Sequence, residues 1–178
     1  MKYKGRGSGI ESIFEDEKPD KSLVDILAYC LMPNHFHLAV RQKSEGGITK
    51  FMSRVGTAYS MYFNTKYQHS GVLFQGRFNS RHAGSEDYFR YIFSYLHLNP
   101  IELVEPDWKE KGISKPAKVK AFIENYKFSS YLDYCSKNRP ERSLLALDIA
   151  PDFLKNQNDL KELLHWYTEA GAREVRSS

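Results

Sequence analysis

The sequence predicts a mixed α/β fold of the α+β kind, from three observations. Two apolar, β-rich runs stand almost end to end, LVDILAYCLM at residues 23–32 and HFHLAVRQ at residues 35–42. Strands joined by so short a turn form an antiparallel hairpin. Two later segments carry apolar residues three and four apart, the spacing of amphipathic helices. The length, 178 residues with 41% hydrophobic content, suits one domain with a packed core, and a further appendage.

Each element has its own warrant. Residues 1–22 are polar, Gly-rich and then acidic (GIESIFEDEKPDKS), and read as an arm. Pro33 and Asn34 are turn formers and set the hairpin bend. Gly46 and Gly47 break the chain. From Ile48 the residues Phe51, Met52, Val55, Tyr59, Tyr62 and Phe63 predict a helix of about four turns. Lys50, Arg54 and Lys66 lie on its other faces, solvated or able to track phosphates. FQGRFNSRHA alternates and predicts a third strand. Phe74, Gly76, Phe78 and Ser80 fall on one side, and Gln75, Arg77, Asn79 and Arg81 on the other. That polar side either faces water or grips a backbone phosphate.

SEDYFRYIFSYLHLNP predicts the second helix. Ser85 is a good N-cap, Glu86 and Asp87 suit the positive helix start, and Pro100 marks the end. The charged stretch 105–120 (EPDWKEKGISKPAKVK), with two prolines, reads as a linker. Beyond it come FSSYLDYC and two predicted helices, 141–150 and 152–170, the second with Pro151 at its start. The tail REVRSS is expected to fray.

Composition narrows the partners. A net charge of +4 is compatible with a polyanion. Two distant cysteines, Cys30 and Cys135, point to a reducing compartment. No apolar run approaches ~18 residues and the start lacks the apolar core of a signal peptide, so a cytoplasmic protein without membrane contact is expected.

The chemistry-bearing residues fall in two places. On a strand, residues two apart share a face, so His35 and His37 project together as a pair of ligands or as hydrogen-bonded core histidines. On the second helix, Tyr88, Tyr91, Tyr95 and Asn99 lie along one face. Pattern alone favours packing for that stripe, with Asn99 as a C-cap. His97, two residues from Tyr95, points to another side and reads as structural.

Taken in order, MPNHFHLAV, a helix, GVLFQGRF, YLHLNPI and a following Trp with SSY resemble the HUH single-tyrosine transposases, nearest to the REP-associated tyrosine transposases. The resemblance runs from about residue 23 to 135. It implies a ferredoxin-like antiparallel sheet with helices on one or both faces, the HUH nuclease fold, here with a small helical C-terminal extension. Residues 23–104 would be the catalytic core, 105–178 linker and extension, and 1–22 an arm with a shortened first strand and helix. A shortened start would leave a sheet edge uncovered and predicts a homodimer.

The resemblance further implies that Tyr95 is the nucleophile and that His35, His37 and Asn99 hold a divalent metal, Mg²⁺ or Mn²⁺. The substrate would be single-stranded or hairpin DNA, cut and rejoined through a 5′-phosphotyrosine, with Arg77, Arg81, Lys50 and Arg54 as candidate DNA contacts. Two other functions stay open: a non-catalytic or domesticated nucleic-acid-binding domain, and a metal-dependent hydrolase.

Overall fold

The computed structural model describes residues 22–135, 137–151 and 161–168. The expected N-terminal arm, most of the helix expected over 152–170, and the tail lie outside these. Strand β1 (Val24–Leu31) pairs antiparallel with β2 (Phe36–Gln42). Helix α1 (Gly47–Tyr67) follows, then α2 (Glu86–Leu98), which runs into a 3-10 turn at Asn99–Leu103. Short helices α3 (Trp108–Lys111), α4 (Pro116–Ile123) and α5 (Tyr131–Tyr134) come next, then a 3-10 turn at Pro140–Leu144. Residues 161–168 are helical. The fold is α+β, with helices packed on a small antiparallel sheet.

The hairpin is the centre of the molecule. Its register sets Cys30 opposite His37 and Leu31 opposite Phe36, with an irregularity between Ile26 and Ala28. Ala28, Cys30 and Ala39 are buried, and α2 packs Phe93, Leu96 and Leu98 into the same core. Small residues on the strands leave room for the large ones on the helix. Trp108, Val119 and Ile123 join that cluster. The expected linker over 105–120 is therefore folded: most of its lysines face water, while Trp108 and Val119 reach inward.

The outer edge of β1 is met by the later chain. Leu31 N–H donates to the Phe128 carbonyl, Ser130 N–H to the Tyr29 carbonyl, and Ala146 N–H to the Ile26 carbonyl, at 2.8, 2.9 and 2.9 Å. An edge expected to lie open is thus partly satisfied from within the chain. A buried ion pair locks this region. Arg139 Nε donates to Asp133 Oδ1 at 2.7 Å, and its other nitrogens reach the Tyr29 hydroxyl and the Ser129 and Lys127 carbonyls. Asp133 is fully buried, and the guanidinium both neutralises and orients it.

Two further expectations are corrected. Residues 74–83 form no strand, because no strand among the described residues lies alongside to complete their hydrogen bonds. Among the described residues the sheet has two strands. The helix expected over 141–150 is a single 3-10 turn, since Leu145 and Ala146 turn extended to meet Ile26. Helix α1 forms as expected but buries only Gly47, leaving Tyr59, Met61, Tyr62 and Tyr67 exposed. Gly47 is required there because a Cβ would lie 2.6 Å from the Leu23 carbonyl oxygen.

Candidate active site

Hairpin geometry presents the two histidines. His35 closes the turn, its carbonyl accepting from Met32 N–H at 2.8 Å, and His37 sits in β2. Their rings meet edge to face with centroids 5.0 Å apart. His35 is exposed at the rim and His37 half-buried. His35 Nδ1 lies 2.7 Å from Asn34 Oδ1, an acceptor, a pairing that favours the tautomer with the proton on Nδ1 and the lone pair on Nε2. Asn34 thus does more than turn the chain: it orients the imidazole.

Helix α2 brings the other half. Ser85 caps it, its hydroxyl accepting from Tyr88 N–H at 3.2 Å. Phe93, Leu96 and His97 anchor the buried side. His97 is fully enclosed, with Nε2 2.7 Å from Ser130 Oγ, and burial pushes its pKa down to about 3. The opposite face turns Tyr95 and Asn99 toward the histidines. Asn99 Nδ2 lies 3.4 Å from His35 Nε2, and the Tyr95 ring meets the His37 ring at 5.6 Å, edge to face. Four residues from two distant segments converge on one spot.

The ligand set can be tested on its own chemistry. His37 Nε2 is buried and has no hydrogen-bond partner. Burial, then the charges of His35 and Lys109, hold the His37 pKa below its ordinary value, against a smaller opposing effect of Glu102. A neutral imidazole with an unused, buried nitrogen is the form that binds a metal. Asn99 is 1% exposed, and half a turn of its amide exchanges Nδ2 for the oxygen that a hard cation prefers. The residues therefore fit a divalent ion. Among the described residues no third histidine, cysteine or carboxylate joins them; the Asn99 carboxamide is the oxygen donor that lies beside the pair.

Sequence reasoning missed several neighbours. Lys109 Nζ stands 5.2 Å from the centre of the Tyr95 ring and is bonded to Glu102 Oε2 at 3.0 Å. Tyr167 stacks on Tyr91 and Tyr95 with centroids at 5.4 and 6.4 Å. Lys109 was hidden in a stretch that reads as charged linker. The buried Trp108 beside it, one aromatic among charges, was the available signal. The four basic residues Lys50, Arg54, Arg77 and Arg81 are all exposed, two on α1 and two in the irregular segment after it. With the third strand gone, Arg77 and Arg81 do not share a strand face.

No helix among the described residues is long and apolar enough to cross a membrane. Compared with known families, the chain matches a model described as "Transposase IS200 like" over residues 8–99. That span holds His35, His37, Tyr95 and Asn99. No curated protein and no solved structure matches the chain.

Proposed function

The chain belongs to the family of IS200-like transposases, which cut and rejoin DNA, and we propose that it does so by transesterification through Tyr95 on single-stranded DNA. The observation that carries the choice of tyrosine is the contact between the Tyr95 and His37 rings, beside the His35–Asn99 contact. Tyr91, the other phenol on that face, stacks on Tyr95 and Tyr167.

In this reading the Tyr95 hydroxyl oxygen bonds to phosphorus as the bond to the 3′ oxygen breaks. The phenolic proton is lost to solvent and the departing oxygen takes one up, giving a 3′-hydroxyl and a 5′-phosphotyrosine. One phosphodiester is exchanged for another, so the step is reversible and needs no nucleotide triphosphate. Its main demand is alignment of the attacking oxygen and neutralisation of charge. His35, His37 and Asn99 would hold a divalent cation, Mg²⁺ or Mn²⁺, which when bound supplies Lewis-acid polarisation of a phosphate oxygen. Asn34 fixes the His35 tautomer this requires, and His97, seated on Ser130, fixes the helix that carries Tyr95.

The likeness to the REP-associated branch suggests the form of the substrate, a single strand beside a small hairpin, with the exposed Lys50, Arg54, Arg77 and Arg81 available to backbone phosphates. Binding to such DNA should exceed binding to featureless duplex and fall as salt rises. The test is covalent capture on denaturing gels with a labelled hairpin-bearing oligonucleotide and Mn²⁺. Wild type and Tyr91→Phe should form the adduct and Tyr95→Phe should not. Cleavage without adduct would make the protein a hydrolase. Tight binding with neither would make it a binding domain.

A further inference from the structure

Phosphoryl transfer places negative charge beside the attacking oxygen, so the groups around Tyr95 should include something to meet it. The structure sets His37, Tyr91, Tyr167 and Lys109 against the Tyr95 ring. His37 is taken up as a candidate metal donor, and the tyrosines bring phenols. Only Lys109 in that group brings a fixed positive charge.

Lys109 is also unusually well placed for a surface lysine. Its side chain is 27% exposed, against 75% for Lys111 two positions on. Its backbone is fixed by Trp108, 4% exposed in the core. Its ammonium is held by Glu102, on the same 3-10 turn that begins at Asn99 and is fastened by the fully buried Ile101. The cation is therefore referenced to the turn that carries Asn99. Partial burial works against its charge, but Glu102 and the nearby Tyr95 outweigh this, and its pKa lies above the ordinary lysine value. Glu102 is half-exposed and can turn to water when another anion takes the ammonium.

Resting on the reading of Tyr95 as nucleophile, we propose that Lys109 is a phosphate-binding residue of the site. Its ammonium takes a non-bridging oxygen of the phosphodiester that Tyr95 attacks, and holds the same phosphate once it has become the phosphotyrosine. The phenolic oxygen lies on the ring rim, so a phosphate joined to it is within the sweep of a lysine stem already 5.2 Å from the ring centre. Lys109 forms and breaks no covalent bond; it stays an ammonium throughout. Glu102 is a positioning residue, acting through Lys109.

Single-turnover adduct formation with saturating Mn²⁺ tests the role. Lys109→Met should slow it by about 10²–10³-fold, the usual loss for one charge-stabilising donor, and Lys109→Arg should recover most of it. Lys111→Met should leave the rate unchanged. The decisive substrate carries a methylphosphonate, without charge, at the cleaved position. If Lys109 meets the phosphate charge, the Lys109→Met penalty should shrink to within about threefold on both isomers. An undiminished penalty there, or one accompanied by an equal fall in thermal stability, would make Lys109 structural and overturn the proposal.

A second measurement needs no turnover. Inorganic phosphate, titrated calorimetrically at low ionic strength, should bind wild type and Tyr95→Phe alike, and Lys109→Met about tenfold more weakly, as expected for a lost charge-assisted contact. Equal binding by Lys109→Met overturns the proposal whatever the adduct assay gives. Weakened binding in a protein that forms no adduct would sustain the Lys109 site and sink the covalent reading of Tyr95.

Discussion

Helices α1 and α2 are both rich in aromatic residues, both amphipathic by spacing, and meet the same hairpin. They differ in what they bury. Five residues of the thirteen in α2 are fully enclosed, while α1, with twenty-one, encloses one glycine. The aromatic residues of α1 pack mainly on one another and on Phe74, as with Tyr59 and Phe63 at 6.3 Å and Tyr59 and Phe74 at 6.0 Å. Those of α2 divide into a buried side and a side facing the histidines. Spacing predicts a helix; it does not say which face finds a core. On the proposed reading the better-buried helix, α2, carries the nucleophile, as the need to hold an attacking oxygen within a fraction of an ångström demands.

The largest break in the symmetry should be chemical. Tyr95→Phe on α2 should lower adduct formation by at least about 10³-fold, since the attacking oxygen is gone. Tyr59→Phe on α1 should leave the gel band at wild-type intensity. Loss of the band in both variants would mean that the two helices share the reaction.

Packing comes next. Phe93→Ala should cost about 3–5 kcal/mol in urea unfolding, as the loss of a fully buried ring does. Met61→Ala, at a side chain two-thirds exposed, should stay within about 0.5 kcal/mol. A large Met61 effect would show α1 covered in solution, as a partner copy on its apolar face would do.

Alkali should attack the core and spare α1. Burial pushes the Cys30 thiol up to about 12, and raises the phenols of Tyr29 and Tyr134 well above the ordinary tyrosine value, with the Asp133 charge adding to both. Unfolded, these groups lose their protons from about pH 9–10 upward. Folded, they keep them, so the native state binds more protons and stability falls as pH rises. The contribution is complete below about pH 8 for the thiol and about pH 9 for the phenols, and then declines by up to about 1.4 kcal/mol per pH unit for each group. Urea midpoints between pH 8 and 11 measure it. Cys30→Ala should flatten the decline, and a flat wild-type profile would contradict the burial of all three.

The smallest contrast is in the caps. Ser85→Ala removes the hydroxyl that accepts Tyr88 N–H and should cost about 1 kcal/mol. Helix α1 starts at Gly46 in the left-handed region, with no side-chain cap to lose. Gly46→Ser should therefore gain nothing, its cap offset by backbone strain at φ 67°. Thermal unfolding of the two variants compares them directly.

The same contrast explains what could be read from the residues alone. Helix α2 was legible because Ser85, the acidic pair, the spacing and Pro100 agree. The histidine pair was legible because a strand repeats every two residues. The 74–83 segment misled because alternation says nothing about a pairing partner. Trp108 and Val119 were hidden by surrounding lysines, since helices of four and eight residues are too short to show a clear period. Lys109 and Glu102 were invisible as a pair, because the turn after Asn99 decides that they meet.

The site also has a place in time. Ser130 accepts from Tyr29 N–H across a separation of 101 residues, and supports His97 beneath the tyrosine helix. On the ribosome, the histidines, Tyr95 and Asn99 all emerge before residues 128–146, which brace the far side of β1. Contacts between segments so distant in the chain form late, because the intervening loop must close first. A growing chain thus carries His35, His37, Tyr95 and Asn99 before the segment that helps hold them in register has emerged. On the proposed reading, cutting competence would wait for residues 128–146, and a product stopped short of Ser130 would carry the histidines, Tyr95 and Asn99 without the segment that braces them.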